Sequence, residues 1–294
     1  MKPRSYVVHV EPGPSGDLAW REAVRRARHA SAALIAVQPI PRPSWFERRH
    51  RRDVERSALA HLNGRRELAG RTEDVAGSVD VQVAIVDDDP ATALARAANQ
   101  HDAELIILGP ASVEDALFGS VASRTTKRAR CAVLVVRETR ETGVIVGGTD
   151  FSDYTLPVVA AACAEAVERP HGRYIVAHSP EPVEAMAWSA HQVPSVTNDA
   201  VRDATSDAML RLRRVVQKYP LAEPMLVDGP AGPALVAAAS KIDADLLVVG
   251  TIGRTGLSHL VLGNVAEHVM RCAPCSVLVV RLHREPGAVF RRGS

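Results

Sequence analysis

The stretch Gly250-Thr251-Ile252-Gly253-Arg254-Thr255-Gly256, closed by Gly263-Asn264, follows the apolar run Leu246-Leu247-Val248-Val249 and precedes Val265-Ala266-Glu267-His268-Val269-Met270. The apolar run reads as a buried strand and the later segment as a helix, so the glycines form a strand-to-helix connection. Glycine lets backbone N–H groups approach a ligand closely, and a helix start carries unsatisfied N–H groups that favour negative charge. The connection therefore has the chemistry of an anion site.

The same arrangement occurs earlier in the chain in a shorter form. Asp102-Ala103-Glu104-Leu105-Ile106-Ile107-Leu108-Gly109 matches Asp243-Ala244-Asp245-Leu246-Leu247-Val248-Val249-Gly250, and Cys131-Ala132-Val133-Leu134-Val135-Val136-Arg137 matches Cys275-Ser276-Val277-Leu278-Val279-Val280-Arg281. Gly119-Ser120-Val121-Ala122 likewise matches Gly263-Asn264-Val265-Ala266. The chain is thus an internal duplication. The first copy has lost three residues inside its glycine connection.

Each copy opens with a short apolar run, Tyr6 to Val10 or Val144 to Val146, and continues into an alanine-rich helical stretch. Further strands are expected at Ala33 to Val37 and Tyr174 to Ala177, then at Val79 to Val83 and Met225 to Val227. Helices starting at prolines follow, from Asp89-Pro90 and Gly229-Pro230. Continuous apolar strands alternating with helices imply a parallel sheet covered on both faces. The expectation is an α/β chain of two doubly wound, five-stranded domains. Residues 1–140 form the degenerate first domain, 141–285 the second with its glycine motif intact, and 286–294 a tail. The last strand of each copy would be an apolar edge, so the two are expected to pair and join the halves as a pseudo-dimer.

Composition sets the outer bounds. The chain has 294 residues, of which 46% are apolar and 24% charged, with a formal net charge of +2. That balance does not suit an obligatory nucleic-acid partner or an anionic membrane, which draw on a concentrated Lys and Arg excess. Four cysteines and no apolar leader after Met1 point to a reducing, cytoplasmic setting.

The element order, Gly250-x2-Gly253-x9-Gly263 and the turn Gly148-Thr149-Asp150-Phe151-Ser152 resemble the universal stress protein family in its tandem form. Gly253-Arg254-Thr255-Gly256 followed by Gly263-Asn264 looks most like the E-type tandem members. The resemblance implies Rossmann-like domains of the adenine nucleotide alpha hydrolase kind, and a role in stress response. It also implies an adenine-nucleotide pocket in the second half, with ATP, accompanied by Mg, as the candidate ligand. On this likeness Thr149 and Asp150 would face adenine and ribose, with Ser152 in the same turn. Gly250 and Gly253 would admit phosphate, Arg254 would grip it, and Gly263, Asn264 and Val265 would offer the helix start. In the first half, Glu11-Pro12-Gly13-Pro14 stands near the Thr-Asp position, so no nucleotide is expected there.

No nucleophile elbow, Walker loop or His-Glu-x2-His motif is present, so binding without catalysis is expected. Two other readings stay open: a slow phosphotransferase or ATPase, and a nucleotide-free scaffold taking an apolar ligand or protein partner. His268, Cys272 and Cys275 have a spacing zinc could use, but a fourth ligand is lacking, and small buried thiols near Pro274 are the simpler reading. His178 and His259 have no evident orienting partner. Arg48, Arg49, Arg51, Arg52 and Arg56 alternate with acids as a solvated helix face would. Self-association into a homodimer is left open.

Overall fold

The computed structural model describes residues 4–40, 55–64, 79–110, 120–138, 141–153, 155–169, 171–180, 198–219, 221–251 and 262–281. The strands of the first half are β1 (Ser5–His9), β2 (Ala33–Pro39), β3 (Val81–Val86), β4 (Leu105–Leu108) and β5 (Ala132–Val135). Those of the second are β6 (Val144–Gly148), β7 (Arg173–His178), β8 (Ala222–Leu226), β9 (Leu246–Gly250) and β10 (Ser276–Val280). The helices are α1 (Pro14–Ala30), α2 (55–64), α3 (Pro90–Gln100), α4 (Val121–Arg128), α5 (Thr155–Val167), α6 (Asn198–Val216), α7 (Ala231–Lys241) and α8 (Asn264–Cys272).

All ten strands form one sheet in the order β3-β2-β1-β4-β5-β10-β9-β6-β7-β8. Within each half the pairing is parallel, and β5 and β10 meet antiparallel at the centre, with Leu134 opposite Leu278. The two apolar edges expected from the repeat thus cover each other. Alternation along each strand divides the core between the faces. Val7, Ile106, Val146 and Leu247 pack beneath α3, α4, α7 and α8. Tyr6, Val8, Ile107, Ile145 and Val248 pack beneath α1, α2, α5 and α6.

Side chains lock the seam on both faces. On one face α4 meets α8 through repeat-equivalent residues: Ser123 Oγ bonds Glu267 Oε1 at 3.4 Å, and the Thr126 hydroxyl contacts Met270 Sδ at 3.6 Å. The arginines that follow the two central strands cross over. Arg137 donates to the Met270 and Cys275 carbonyls, and Arg281 donates to the Thr126 carbonyl at 2.9 Å. On the other face, α1 and α5 are joined by the buried pair Arg26–Glu165, bidentate at 2.6 and 2.7 Å, with Arg169 adding 2.8 Å to the same carboxylate. Burial alone would raise the Glu165 pKa, but the hydrogen bonds and charges of Arg26, then Arg169, overcome it and hold the carboxyl at about 2.

Three local expectations are corrected. β3 lies at Val81–Val86 rather than 79–83, because its register with β2 runs on to Val86 opposite Pro39. β8 spans Ala222–Leu226 rather than 225–227, with Pro224 inside it; an edge strand tolerates proline, which has no N–H to give a neighbour. Cys272 is exposed rather than buried, because it ends the outward row of α8, whereas Cys275 beyond the turn is buried. α3 begins at Pro90 as expected, with Asp89 capping it through the Thr92 N–H at 3.1 Å, while Pro230 occupies the cap position of α7, which begins at Ala231.

Candidate functional site

In each half the chain leaves its first strand towards one side of the sheet and its fourth towards the other. A crevice therefore opens between the carboxyl ends of those strands, where open α/β sheets take ligands. In the second half the flanking strands are β6 and β9, paired with Gly147 opposite Val248. Their ends, Thr149-Asp150 and Gly250-Thr251, emerge side by side.

The turn after β6 is held by its own polar groups. Thr149 is buried, and its N–H donates to the Ala177 carbonyl at 2.8 Å. Its hydroxyl bonds the Thr155 hydroxyl at 2.8 Å and accepts from the Phe151 N–H at 3.2 Å. That hydroxyl therefore serves the turn. The Asp150 carboxylate accepts from the Ser152 N–H at 3.0 Å, and the Ser152 carbonyl accepts from the Thr155 N–H at 3.0 Å, so the turn feeds directly into α5. Asp150 and Ser152 are half-buried.

Phe151 occupies a left-handed conformation with φ of 61°, which costs a bulky residue on the order of 1–3 kcal/mol. Ring contacts support it: the His178 ring centroid lies 4.2 Å away, tilted by 46°, and the Arg211 guanidinium lies 4.4 Å from the Phe151 centroid. His178 is buried and its Nδ1 bonds the Thr149 carbonyl at 2.7 Å. The Thr155 bond and the Phe151 ring contacts escaped the sequence reading, because Arg211 and His178 reach the turn only through tertiary packing.

Across the crevice, the Gly263 N–H donates to the buried Thr251 carbonyl at 2.8 Å and ties the start of α8 to the end of β9. Gly263 occupies the cap position and offers no side-chain cap to the first turn, where Asn264 and Val265 are exposed. Thr149, Asp150 and Ser152 thus lie on the turn after β6, while Gly250 ends β9 and Gly263, Asn264 and Val265 form the start of α8. Gly253, Arg254 and His259 lie outside the described residues, as do Arg48, Arg49, Arg51 and Arg52. No group of three or more His, Cys, Asp or Glu poised for a metal occurs among the described residues.

In the first half, α1 comes close to the end of β4. Ser15, in the first turn of α1, lies so near Gly109 that a Cβ there would fall 2.1 Å from its hydroxyl and 2.5 Å from its carbonyl oxygen. The Ser15 hydroxyl lies within hydrogen-bond reach of Glu11 Oε1 at 2.7 Å and the Pro110 carbonyl at 3.0 Å. α4 is capped internally, the Ser120 hydroxyl accepting from the Ser123 N–H at 3.1 Å. Among the described residues α8 has no such cap.

Comparison with known proteins agrees with this architecture. The model of the universal stress protein family matches residues 4–137 and again 142–281. A universal stress protein of Mycobacterium tuberculosis is 28% identical over 287 residues, covering 90% of each chain. Universal stress protein E of Escherichia coli is 33% identical over 120 residues, 40% of this chain and 37% of that one. Among solved structures, a universal stress protein from Archaeoglobus fulgidus superposes with a TM-score of 0.67 at 14% identity, covering 94% of this chain and 96% of the other. A duplicated doubly wound unit, matched twice by one family model and along nearly its whole length by a relative, makes this chain a tandem member of the universal stress protein family.

Proposed function

We propose that the second half binds an adenine nucleotide, ATP or a related phosphorylated ligand, and that the protein acts in a cytoplasmic stress response by binding rather than by turnover. The carrying observation is the start of α8. Its first-turn N–H groups have no side-chain cap among the described residues, and the Gly263–Thr251 bond holds them at the end of β9, beside the Asp150 turn. Uncapped helix N–H groups favour a phosphate, and a carboxylate one strand away suits ribose hydroxyls. In this reading Thr149 shapes the turn rather than touching the base, while Asp150, Ser152, Gly250, Gly253, Arg254, Gly263, Asn264 and Val265 surround the ligand. Mg²⁺ would arrive as the counter-ion of the phosphates. The domains run 1–140 and 141–285, and the first, with Ser15 against Gly109, serves as structural partner and as a surface for other proteins.

The test is direct. The purified chain is denatured in acid, released small molecules are identified by mass spectrometry, and the refolded protein is titrated with ATP by calorimetry. One adenine nucleotide per chain, recovered intact after long incubation with Mg²⁺, is expected. Released product in stoichiometric excess would favour an ATPase, and neither bound nucleotide nor ATP heat would favour a nucleotide-free scaffold.

A further inference from the structure

A second polar site lies at the seam, at the opposite end of β9 from the nucleotide crevice. The two copies differ there. In the first half the Glu104 N–H bonds the Ser5 carbonyl, and the Glu104 carboxylate pairs with the Arg4 guanidinium at 3.4 Å, exposed to solvent. In the second half the Asp245 N–H bonds the Val144 carbonyl in the same way, so Gly143 stands where the first copy has Arg4. The guanidinium is missing, yet the carboxylate is kept and moved inside.

Asp245 is 4% exposed. Its Oδ2 accepts from the Gly143 N–H at 2.7 Å, while its Oδ1 is buried and has no hydrogen-bond partner among the described residues. Leaving one oxygen of a buried carboxylate unsatisfied is costly, and a donor is expected to meet it. Asp245 lines a cavity of about 340 Å³ between the halves, together with Leu134, Val136, Leu246, Arg137 and the exposed Glu141. Arg137 is not the missing partner, since its guanidinium donates to the Met270 and Cys275 carbonyls. Arg25, Arg26 and Arg169, on the far wall, are engaged by Glu22 and Glu165.

We propose that this cavity binds a small organic cation, whose ammonium or guanidinium head takes on Asp245 the place that Arg4 takes on Glu104. The head donates to Oδ1 and supplies the charge that Gly143 cannot. A short carbon stem packs on Leu134, Val136 and Leu246, and Glu141 adds a second negative charge. The volume lies at the lower end of the range for small-molecule sites. The site is independent of the nucleotide crevice, so either assignment can fail alone.

Calorimetric titration of the full chain at constant ionic strength tests this with n-butylammonium and ethylguanidinium chloride as probes, and with n-butanol and potassium chloride as controls. Saturable binding of one cation per chain is expected for at least one probe, with none for butanol. Asp245→Asn keeps an acceptor for the Gly143 N–H and removes the charge, so it should weaken the cation at least tenfold. Glu141→Gln, at an exposed position, should weaken it two- to threefold. Far-UV circular dichroism and the response to ATP should match the parent in both variants. Absence of saturable binding by both probes, equal affinity in Asp245→Asn, or an equal response to potassium would overturn the proposal.

Discussion

Replacing Glu165 by Gln tests how the halves are held on the α1–α5 face. Glu165 is 7% exposed and accepts two hydrogen bonds from Arg26, on the other half, and one from Arg169. The neutral amide cannot match them, and Arg26, itself 10% exposed, keeps only Glu22 at 2.6 Å. Breaking a buried pair from one side costs about 3–5 kcal/mol, because the remaining charge stays buried without full compensation. Protonation gives a second route to the number. The carboxyl moves from an ordinary 4.5 to about 2 on folding, which corresponds to about 3 kcal/mol at neutral pH. Because the folded pKa is depressed, that stability is fully present above pH 4.5 and is lost as pH falls towards 2. Urea unfolding at pH 7 should therefore show Glu165→Gln less stable by about 3 kcal/mol, a loss of roughly 5 °C in Tm for a chain of 294 residues. The gap between parent and variant should narrow steadily between pH 4.5 and 2.5. A gap below about 0.5 kcal/mol at pH 7, the size of an ordinary surface change, or a gap unchanged by acid would refute the reasoning.

Three further outcomes are expected. Gly263→Ser gives α8 the internal cap that Ser120 gives α4, and should reduce ATP affinity in calorimetry by at least threefold while leaving Tm unchanged or slightly raised; φ of −66° at Gly263 imposes no strain on a side chain. Gly109→Ala drives a Cβ into the Ser15 backbone and should destabilise by about 2–3 kcal/mol in urea, whereas Gly148→Ala, whose nearest contact is the mobile end of Leu235 at 2.8 Å, should lose under about 1 kcal/mol. Iodoacetamide followed by peptide mapping should label exposed Cys272 well before Cys275, whose thiol burial pushes up to about 11, so little of it is thiolate at neutral pH.

The central strands could be read from the residues because they are buried on both faces, and such strands appear as unbroken apolar runs such as Leu246 to Val249. At the outer edges that signal fades. β3 and β8 are half-exposed, so their ends are set by pairing with β2 and β7 rather than by any change in hydropathy. The meeting of β5 and β10 followed from the repeat, since two identical apolar edges in one chain need cover and can provide it for each other. Of the candidate site, the sequence showed the two connections that follow β6 and β9. Its inner arrangement was not legible: no spacing announces that the Thr149 hydroxyl turns inward to Thr155, or that Arg211, sixty residues on, stacks over Phe151. Nor did the shortened first connection reveal that Ser15 would fill the space beside Gly109.

The crossed arginines at the centre carry a consequence for how such a chain can change over time. Arg137 holds the end of a helix in the second half, and Arg281 holds its counterpart in the first. Two separate, identical subunits joined in this way would show every substitution twice, so neither could lose its crevice without the other losing it too. In a single chain each position varies alone, and dilution cannot part the halves. One copy can then bring Ser15 against the end of its fourth strand, while the other is free to change without it.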